Sequence, residues 1–268
     1  MFPTLIRLGG FRVATYGLLV AAGYLAGIQF LASRRERMGL DESSFWKMIY
    51  WLFFGAVFGG KLLYWAVEWR SVLDGSHRIV ADFRYGFVFY GGFLGAALVG
   101  FLFARPLKRP FLGLADYFAV ALPLGHGIGR LGCLAAGCCA GKPTTLPWGL
   151  RFTHPDCLVS GDLLGVPLHP AQLYEAAGNL VIALFALRVL GRVERGERPQ
   201  GSALAVYLAA YAVLRFLVEF SRGDDRGGAL GLSVSQWISL CVLAASVFLY
   251  RYLNSPSCGR GAGGRGNL

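Results

Sequence analysis

Charged residues are scarce in this chain, and acidic residues are the scarcest. Only 15% of the 268 residues are Asp, Glu, Lys or Arg, whereas soluble domains carry about 25%. The 15 acidic residues face 26 basic ones, which gives a net charge of +11. Hydrophobic residues make up 55% of the chain, and the mean hydropathy is +0.52. This composition predicts an integral membrane protein and argues against a soluble globular domain.

Several sequence signals are also missing. The chain has no Walker loop, no dinucleotide fingerprint and no internal repeat, so nucleotide-dependent and solenoid classes are not indicated. It has no basic patch interleaved with aromatic residues, so we expect no nucleic-acid partner. The ten-residue alternation of outer-membrane barrels is absent as well. The positive charge is instead typical of cytoplasmic loops and of a protein with an anionic lipid partner.

Long apolar runs are what the sequence does contain, and each has the length of a membrane-spanning helix. They predict an all-α integral membrane protein with about seven transmembrane helices and a small external loop or head region at about 137–170. Residues 1–253 would form one membrane domain, and 254–268 a disordered cytoplasmic tail because that segment has very few apolar residues. The runs are 13–32, 45–67, 86–104, 111–136, 173–190, 203–220 and 234–252.

Basic residues between the runs predict the orientation. Those at 34–37, 105–109 and 192–198 all fall on one side of a seven-span arrangement. The positive-inside rule puts that side in the cytoplasm, the N-terminus outside and the C-terminus inside. Arg34, Arg35 and Arg37 follow the first run. A secretory signal has its positive region before the apolar segment, so we interpret this run as an uncleaved span.

The fourth run ends in an unusual stretch at 125–144, GHGIGRLGCLAAGCCAGKPT. If the helix continues through Leu134, then His126, Arg130 and Cys133 share one face. A cation at the edge of a bilayer needs a partner or a function. The alternative is a glycine-rich packing helix whose arginine extends to the membrane surface.

Polar residues of six predicted helices converge on the outer leaflet. Four cations outnumber two acidic residues there, and an anionic ligand would complete the balance. Arginine suits phosphate, which points to a phospholipid headgroup. The alternative is an ion-pair network that only holds helices together. The converging residues are Tyr16, Lys61, Tyr90, His126, Arg130, His169, Gln172, Glu175, Arg215, Glu219 and Arg222.

Four cysteines also fall on the predicted outer side: Cys133, Cys138, Cys139 and Cys157. Disulfides can form there, so disulfide bonds and buried thiols both stay open. CxxxxCC with the neighbouring His126 could also bind a metal, but its spacing is not a standard zinc pattern. From the sequence we therefore expect no metal and no cofactor.

These motifs resemble the bacterial prolipoprotein diacylglyceryl transferases along most of the chain, from about Tyr16 to Trp237. GRLG alone would be weak, but its combination with HPAQLYE and LRFLVEFSR in this order is specific. The matching pieces are YG at 16–17, FGAVFGGKLLY at 54–64, FYGGFLGA at 89–96, GRLG at 129–132, HPAQLYE at 169–175 and LRFLVEFSR at 214–222.

The resemblance implies a seven-span enzyme of the bacterial inner membrane. Such an enzyme moves the diacylglyceryl group of phosphatidylglycerol to the lipobox cysteine of a preprolipoprotein and releases glycerol 1-phosphate. Arg130 and Arg215 would hold the phosphate and offset charge on the leaving group. The resemblance implies substrate-binding positions at Tyr16, Lys61, Gly91, Gly92, Cys133, Cys138, His169, Gln172, Glu175, Glu219 and Arg222.

The chain departs from the family at several of these positions. The family usually has His at Tyr90, Asn at Cys133, Glu at Cys138 and Arg at Lys61. Because a phenol is a poor general base at neutral pH, we expect Tyr90 only to donate a hydrogen bond.

A histidine would then act as the base. We favour His126 over His169, because His126 lies one helical turn from Arg130. Two other hypotheses stay open. One is a divergent relative with another acceptor or an enzyme cysteine as nucleophile, and the other is a non-catalytic lipid-binding or thiol-redox membrane protein.

Overall fold

The computed structural model describes residues 2–8, 11–70, 87–106, 110–223 and 227–255. These residues fall into two compact units, one within 1–33 and 115–268 and the other within 34–114. Part of the predicted tail, 256–268, lies outside the described residues, as does the predicted start of the third run at Gly86.

Helices dominate both units, which confirms the predicted all-α membrane class. Six of the seven helices in the described residues are long and apolar enough to cross a membrane. α3 has 16 residues and rises about 24 Å, against about 30 Å of bilayer hydrocarbon, so the seventh span stays a prediction. The helices are α1 (Thr15–Ser33), α2 (Glu42–Val67), α3 (Phe89–Ala104), α4 (Phe111–Ala136), α5 (Ala171–Glu194), α6 (Ser202–Glu219) and α7 (Val234–Leu253).

Three short hairpins lie between or before the helices. The first precedes α1, the second lies between α4 and α5, and the third leads into α7. All are antiparallel. Their strands are β1 (Thr4–Leu8), β2 (Phe11–Ala14), β3 (Leu150–Arg151), β4 (Pro167–Leu168), β5 (Gly228–Ala229) and β6 (Leu232–Ser233).

The predicted head at 137–170 has a small apolar core of its own. Phe152, Cys157 and Leu168 are buried there and pack together. Gly165 N–H donates to Phe152 O at 2.8 Å, which closes the segment back on β3. This local core explains how a region without a long helix stays ordered between α4 and α5.

Many large apolar side chains lie on the outside of the helices. Phe248 is 73% exposed and Tyr24 69% exposed. A soluble protein rarely exposes so much contiguous apolar surface, whereas a lipid-facing surface requires it. The exposure pattern therefore agrees with a multi-pass membrane protein.

In the unit 34–114, α2 and α3 pack at close range through glycines. A Cβ at Gly59, Gly91 or Gly95 would overlap backbone of the facing helix. Four-residue spacing of small residues lets membrane helices approach in this way. Next to this contact Lys61 is buried, with its Nζ 5.1 Å from the ring centroids of both Tyr64 and Phe87.

In the other unit, α4 holds the start of α6. Gly201, the residue before α6, has no side chain that could accept the free N–H groups of the first turn. Asp116 on α4 does so instead: its carboxylate accepts from Gly201 N–H at 2.6 Å and from Leu204 N–H at 2.9 Å. This long-range cap fixes the position of α6 relative to α4.

Candidate active site

A buried carboxylate, Glu175, forms the centre of the polar cluster. It lies in the second turn of α5 and is 2% exposed. Its carboxylate forms an ion pair with Arg130 Nε, and lies 3.7 Å from Arg215 Nη1 and 3.9 Å from Arg222 Nη1. These arginines come from α4, from α6 and from the turn after α6. One carboxylate therefore ties three separate parts of the chain together.

A second carboxylate, Glu219, lies at the end of α6. Arg215 Nη2 lies 2.6 Å from Glu219 Oε2, an i, i+4 ion pair within α6. Ser233 Oγ donates to Glu219 Oε1 at 2.7 Å, and Arg215 Nη2 donates to Ser235 Oγ at 3.2 Å. Neither serine was predicted from the sequence. The capping-box spacing of Ser233 and Gln236 was the available signal, because it marks the start of α7 beside this site.

The cluster holds more positive than negative charge. Three guanidinium groups face two carboxylates in these ion pairs. Arg215 Nη1 is buried and has no hydrogen-bond acceptor among the described residues. A buried charge without full compensation is costly. An anionic ligand that reached Arg215 would supply both the missing charge and the missing acceptor.

The loop after α4 is held against this cluster by backbone and by Gln172. Gln172 Nε2 donates to Cys138 O at 2.7 Å. Gly141 N–H donates to His169 O, and Lys142 N–H to Ser221 O, both at 2.9 Å. A Cβ at Gly141 would overlap Ser221 O, so the close approach requires glycine. Gln172 Oε1 is buried without a donor in the described part of the chain.

Three cysteine thiols meet at the edge of the cluster. The Sγ atoms of Cys133, Cys138 and Cys139 all lie within 4.8 Å of one another, and Arg130 Nη1 lies 3.9 Å from Cys133 Sγ. Hydrogen bonds from Cys133 and Cys138 lower the pKa of Cys139, against the opposing effect of burial, and a hydrogen bond from Arg222 and the charge of Arg130 lower it further. The shared hydrogen bonds raise the pKa of Cys138. All five cysteines of the described residues are free thiols.

Tyr16, predicted to line the headgroup site, lies beside these thiols. It is 45% exposed and interacts electrostatically with Cys133 and Arg130. The first turn of α1 approaches α4 closely at this point, since a Cβ at Gly132 would lie 3.2 Å from Tyr16 O. Tyr16 therefore borders the cluster on a side that stays open.

The two candidate bases have different surroundings. α4 does continue past Leu134, as the face shared by His126 and Arg130 required. The His126 ring lies 5.7 Å from the Tyr211 ring, and His126 interacts electrostatically with Arg130 and Arg215. His169 Nδ1 lies 3.5 Å from the Tyr174 hydroxyl. The choice of His126 as base stays a prediction.

Four predicted site residues belong to the unit 34–114, which is described by itself: Lys61, Tyr90, Gly91 and Gly92. Tyr90 is 45% exposed at the start of α3. Gly91 and Gly92 face α2, and a Cβ at Gly92 would lie 3.0 Å from Ala56 O. This close packing already accounts for glycine at both positions. Their part in binding substrate stays a prediction.

The other unit brings most of its predicted residues into one cluster: Tyr16, Arg130, Cys133, Cys138, Gln172, Glu175, Arg215, Glu219 and Arg222. Cys139 joins them without having been predicted as a site residue. The sequence signal that could have identified Cys139 was its position next to Cys138 in GCC.

Comparison with known proteins gives consistent matches along the chain. The family model for prolipoprotein diacylglyceryl transferase matches residues 3–252. A Clostridium tetani protein named phosphatidylglycerol–prolipoprotein diacylglyceryl transferase is 35% identical over 250 residues, covering 93% of this chain and 97% of that protein. A protein of the same name from Methylobacillus flagellatus is 36% identical over 262 residues, covering 92% and 94%. One from Clostridium perfringens, with the suffix 2, is 34% identical over 241 residues, covering 90% and 91%.

Proposed function

The chain belongs to the prolipoprotein diacylglyceryl transferase family, and we propose that it transfers the diacylglyceryl group of phosphatidylglycerol to the lipobox cysteine of a preprolipoprotein. The protein is a multi-pass membrane transferase. The proposal includes a bacterial inner-membrane location, with the N-terminus and the site at the outer leaflet. The basic loops support this orientation.

The observation that carries the proposal is the arginine-rich cluster around Glu175. Arg130 and Arg215 are both held in place by a buried carboxylate, and Arg215 Nη1 has no hydrogen-bond acceptor among the described residues. Preorganised donors of this kind stabilise charge that develops on a phosphate. A guanidinium also offers two parallel donors that match two phosphate oxygens.

The proposed reaction is a displacement at carbon. The acceptor sulfur forms a bond to the glyceryl carbon that carries the phosphate oxygen, and that carbon–oxygen bond breaks. The electron pair goes to the phosphate oxygen, so glycerol 1-phosphate leaves with an added negative charge. Arg130 and Arg215 offset that charge, and His126 takes the thiol proton.

A transfer assay tests the reaction. The purified protein is incubated with phosphatidylglycerol labelled in its acyl chains and with a lipobox peptide, and a peptide with serine in place of the cysteine is the control. We expect label on the cysteine peptide only, with release of glycerol 1-phosphate. Lipid retention without transfer, or label on a cysteine of the protein itself, would contradict the proposal.

Arginine substitutions test the phosphate site. Arg130→Lys and Arg215→Lys keep the charge but lose the two parallel donors. We expect each to reduce turnover at least about tenfold, or about 1.4 kcal/mol in barrier. Arg195→Lys is the matched control, because Arg195 is exposed and pairs with its neighbour Glu197 at the protein surface. Near-normal turnover of both site variants would mean that these arginines only hold helices together.

A further inference from the structure

The loop that follows α4 turns back over the end of its own helix. Gly137 N–H donates to Leu134 O at 3.2 Å, and Cys138 N–H donates to Cys133 O at 3.1 Å. With Gly137 at a φ of +71°, this is the Schellman arrangement of a helix end. It returns Cys138 to the level of Cys133. The helix cap thus brings Cys133 and Cys138 close together although they are five residues apart in the sequence.

The residue after Cys138, Cys139, also brings its sulfur atom close to the other two. Cys139 has a φ of +59°, a left-handed conformation that few residues other than glycine adopt. As a result all three sulfur atoms lie within 4.8 Å of one another. In a zinc site with metal–sulfur bonds of about 2.3 Å, two sulfur ligands are separated by about 3.8 Å. The distances between the three sulfur atoms are therefore at most about 1 Å longer than in a zinc site, and side-chain rotation can remove this difference.

We propose that Cys133, Cys138 and Cys139 bind one zinc ion as thiolates, and that its fourth coordination position receives the acceptor thiol. Soft thiolate ligands select zinc and similar thiophilic ions. Three protein ligands with one open position are the arrangement of zinc sites that bind a reactant. This inference rests on the proposed transferase function only for its fourth ligand.

The surroundings match the charge of such a site. Three thiolates and one zinc ion carry one net negative charge. Arg130 Nη1 lies 3.9 Å from Cys133 Sγ, and Arg222 hydrogen-bonds to the Cys139 thiol. Gln172 holds the Cys138 carbonyl. Such neighbours orient metal ligands and stabilise their charged form.

The thiol cluster reaches an accessible side of its unit. Cys133 is buried, but Cys139 is exposed, and the neighbouring Tyr16 is half-exposed. A thiol that coordinates zinc loses its proton, here to water or to His126. The zinc-bound sulfur then forms the carbon–sulfur bond described above, while the carbon–oxygen bond breaks toward the phosphate. No oxidant or reductant is required.

Metal analysis tests the site independently of activity. The protein is purified under reducing conditions, dialysed against buffered zinc and analysed for bound metal. We expect one zinc per chain, and at least a tenfold weaker zinc affinity for Cys133→Ser and Cys139→Ser. Cys241→Ser is the matched control, because Cys241 is an exposed free thiol on α7. Wild-type protein that binds no zinc, or that holds a disulfide among the three cysteines, would overturn the site. Equal zinc affinity in all variants would do the same.

Cobalt substitution tests the fourth ligand. Bound Co²⁺ reports thiolate ligands by its charge-transfer absorption, so we expect the band to intensify with a lipobox cysteine peptide and not with its serine control. An unchanged spectrum would overturn the open fourth position. If the spectrum changes but phosphatidylglycerol yields no transfer, the zinc site stands and the proposed transferase function fails.

Discussion

Replacing Glu175 by glutamine removes the negative charge on which three arginines converge. Glutamine keeps the shape of the side chain, so packing changes little. Arg215 keeps its pair with Glu219 at 2.6 Å, but Arg130 and Arg222 lose this carboxylate. Breaking a buried pair by removing one partner costs about 3–5 kcal/mol. We therefore expect a midpoint of thermal unfolding lower by about 6–20 °C, at about 2–4 °C per kcal/mol for a chain of this size.

A comparison of two lipids tests whether the cluster binds an anionic headgroup. Thermal unfolding is measured for wild type and Glu175→Gln in nanodiscs of phosphatidylglycerol and of phosphatidylcholine. An anionic headgroup in the cluster would offset part of the excess positive charge, so we expect the destabilisation to be smaller in phosphatidylglycerol. Glu197→Gln is the control, since Glu197 pairs with Arg195 at an exposed site, where an ion pair contributes little.

Two results would refute this reasoning. If Glu175→Gln unfolds at the wild-type temperature in both lipids, the ion pairs of Glu175 do not stabilise the fold. If the destabilisation is the same in both lipids, the cluster does not bind the phosphatidylglycerol headgroup.

Three further predictions concern topology, the base and the helix cap. A reporter fused after Arg198 should be cytoplasmic and one inserted within 156–162 external, because of the basic loops; the same side for both would exclude the seven-span arrangement. His126→Gln should abolish transfer but keep lipid binding, whereas Tyr90→Phe should only slow transfer. Lipid retention and transfer are assayed separately, and full transfer by His126→Gln would exclude His126 as the base. Asp116→Ala should lower the free energy of unfolding by about 1–2 kcal/mol through loss of the α6 cap, and Asp116→Asn, which keeps an acceptor, should lower it by less. Equal free energies of unfolding for Asp116→Ala and wild type would show that the cap contributes nothing.

Local sequence determined the helices and the contacts within them. The predicted fourth run coincides with α4 at both ends, and the seventh begins where α7 does. Hydrophobic runs of spanning length predict helices because every backbone polar group in lipid must be bonded within its own segment. The pair of Arg215 and Glu219 was predictable for the same reason, since residues four apart on a helix are neighbours.

Long-range contacts could be predicted only in part. The sequence indicated that Arg130, Arg215 and Glu175 approach the same leaflet, but not that Glu175 binds three arginines. The Asp116 cap joins residues 85 and 88 positions apart, and no periodicity marks such a contact. The serines that bind Glu219 and Arg215 were missed because the turn before α7 places them there.

The amino-acid sequence was therefore sufficient to predict the membrane class, the positions of the helices and the set of polar residues near one leaflet. These features are predictable because the length of an apolar run and the charges within it can be read from short windows of the sequence. The three-dimensional fold was needed to show which carboxylate binds which arginine and which glycines allow helices to pack closely. It alone brought the sulfur atoms of Cys133, Cys138 and Cys139 together, because a left-handed turn after α4 reverses the chain where residue spacing predicts separation.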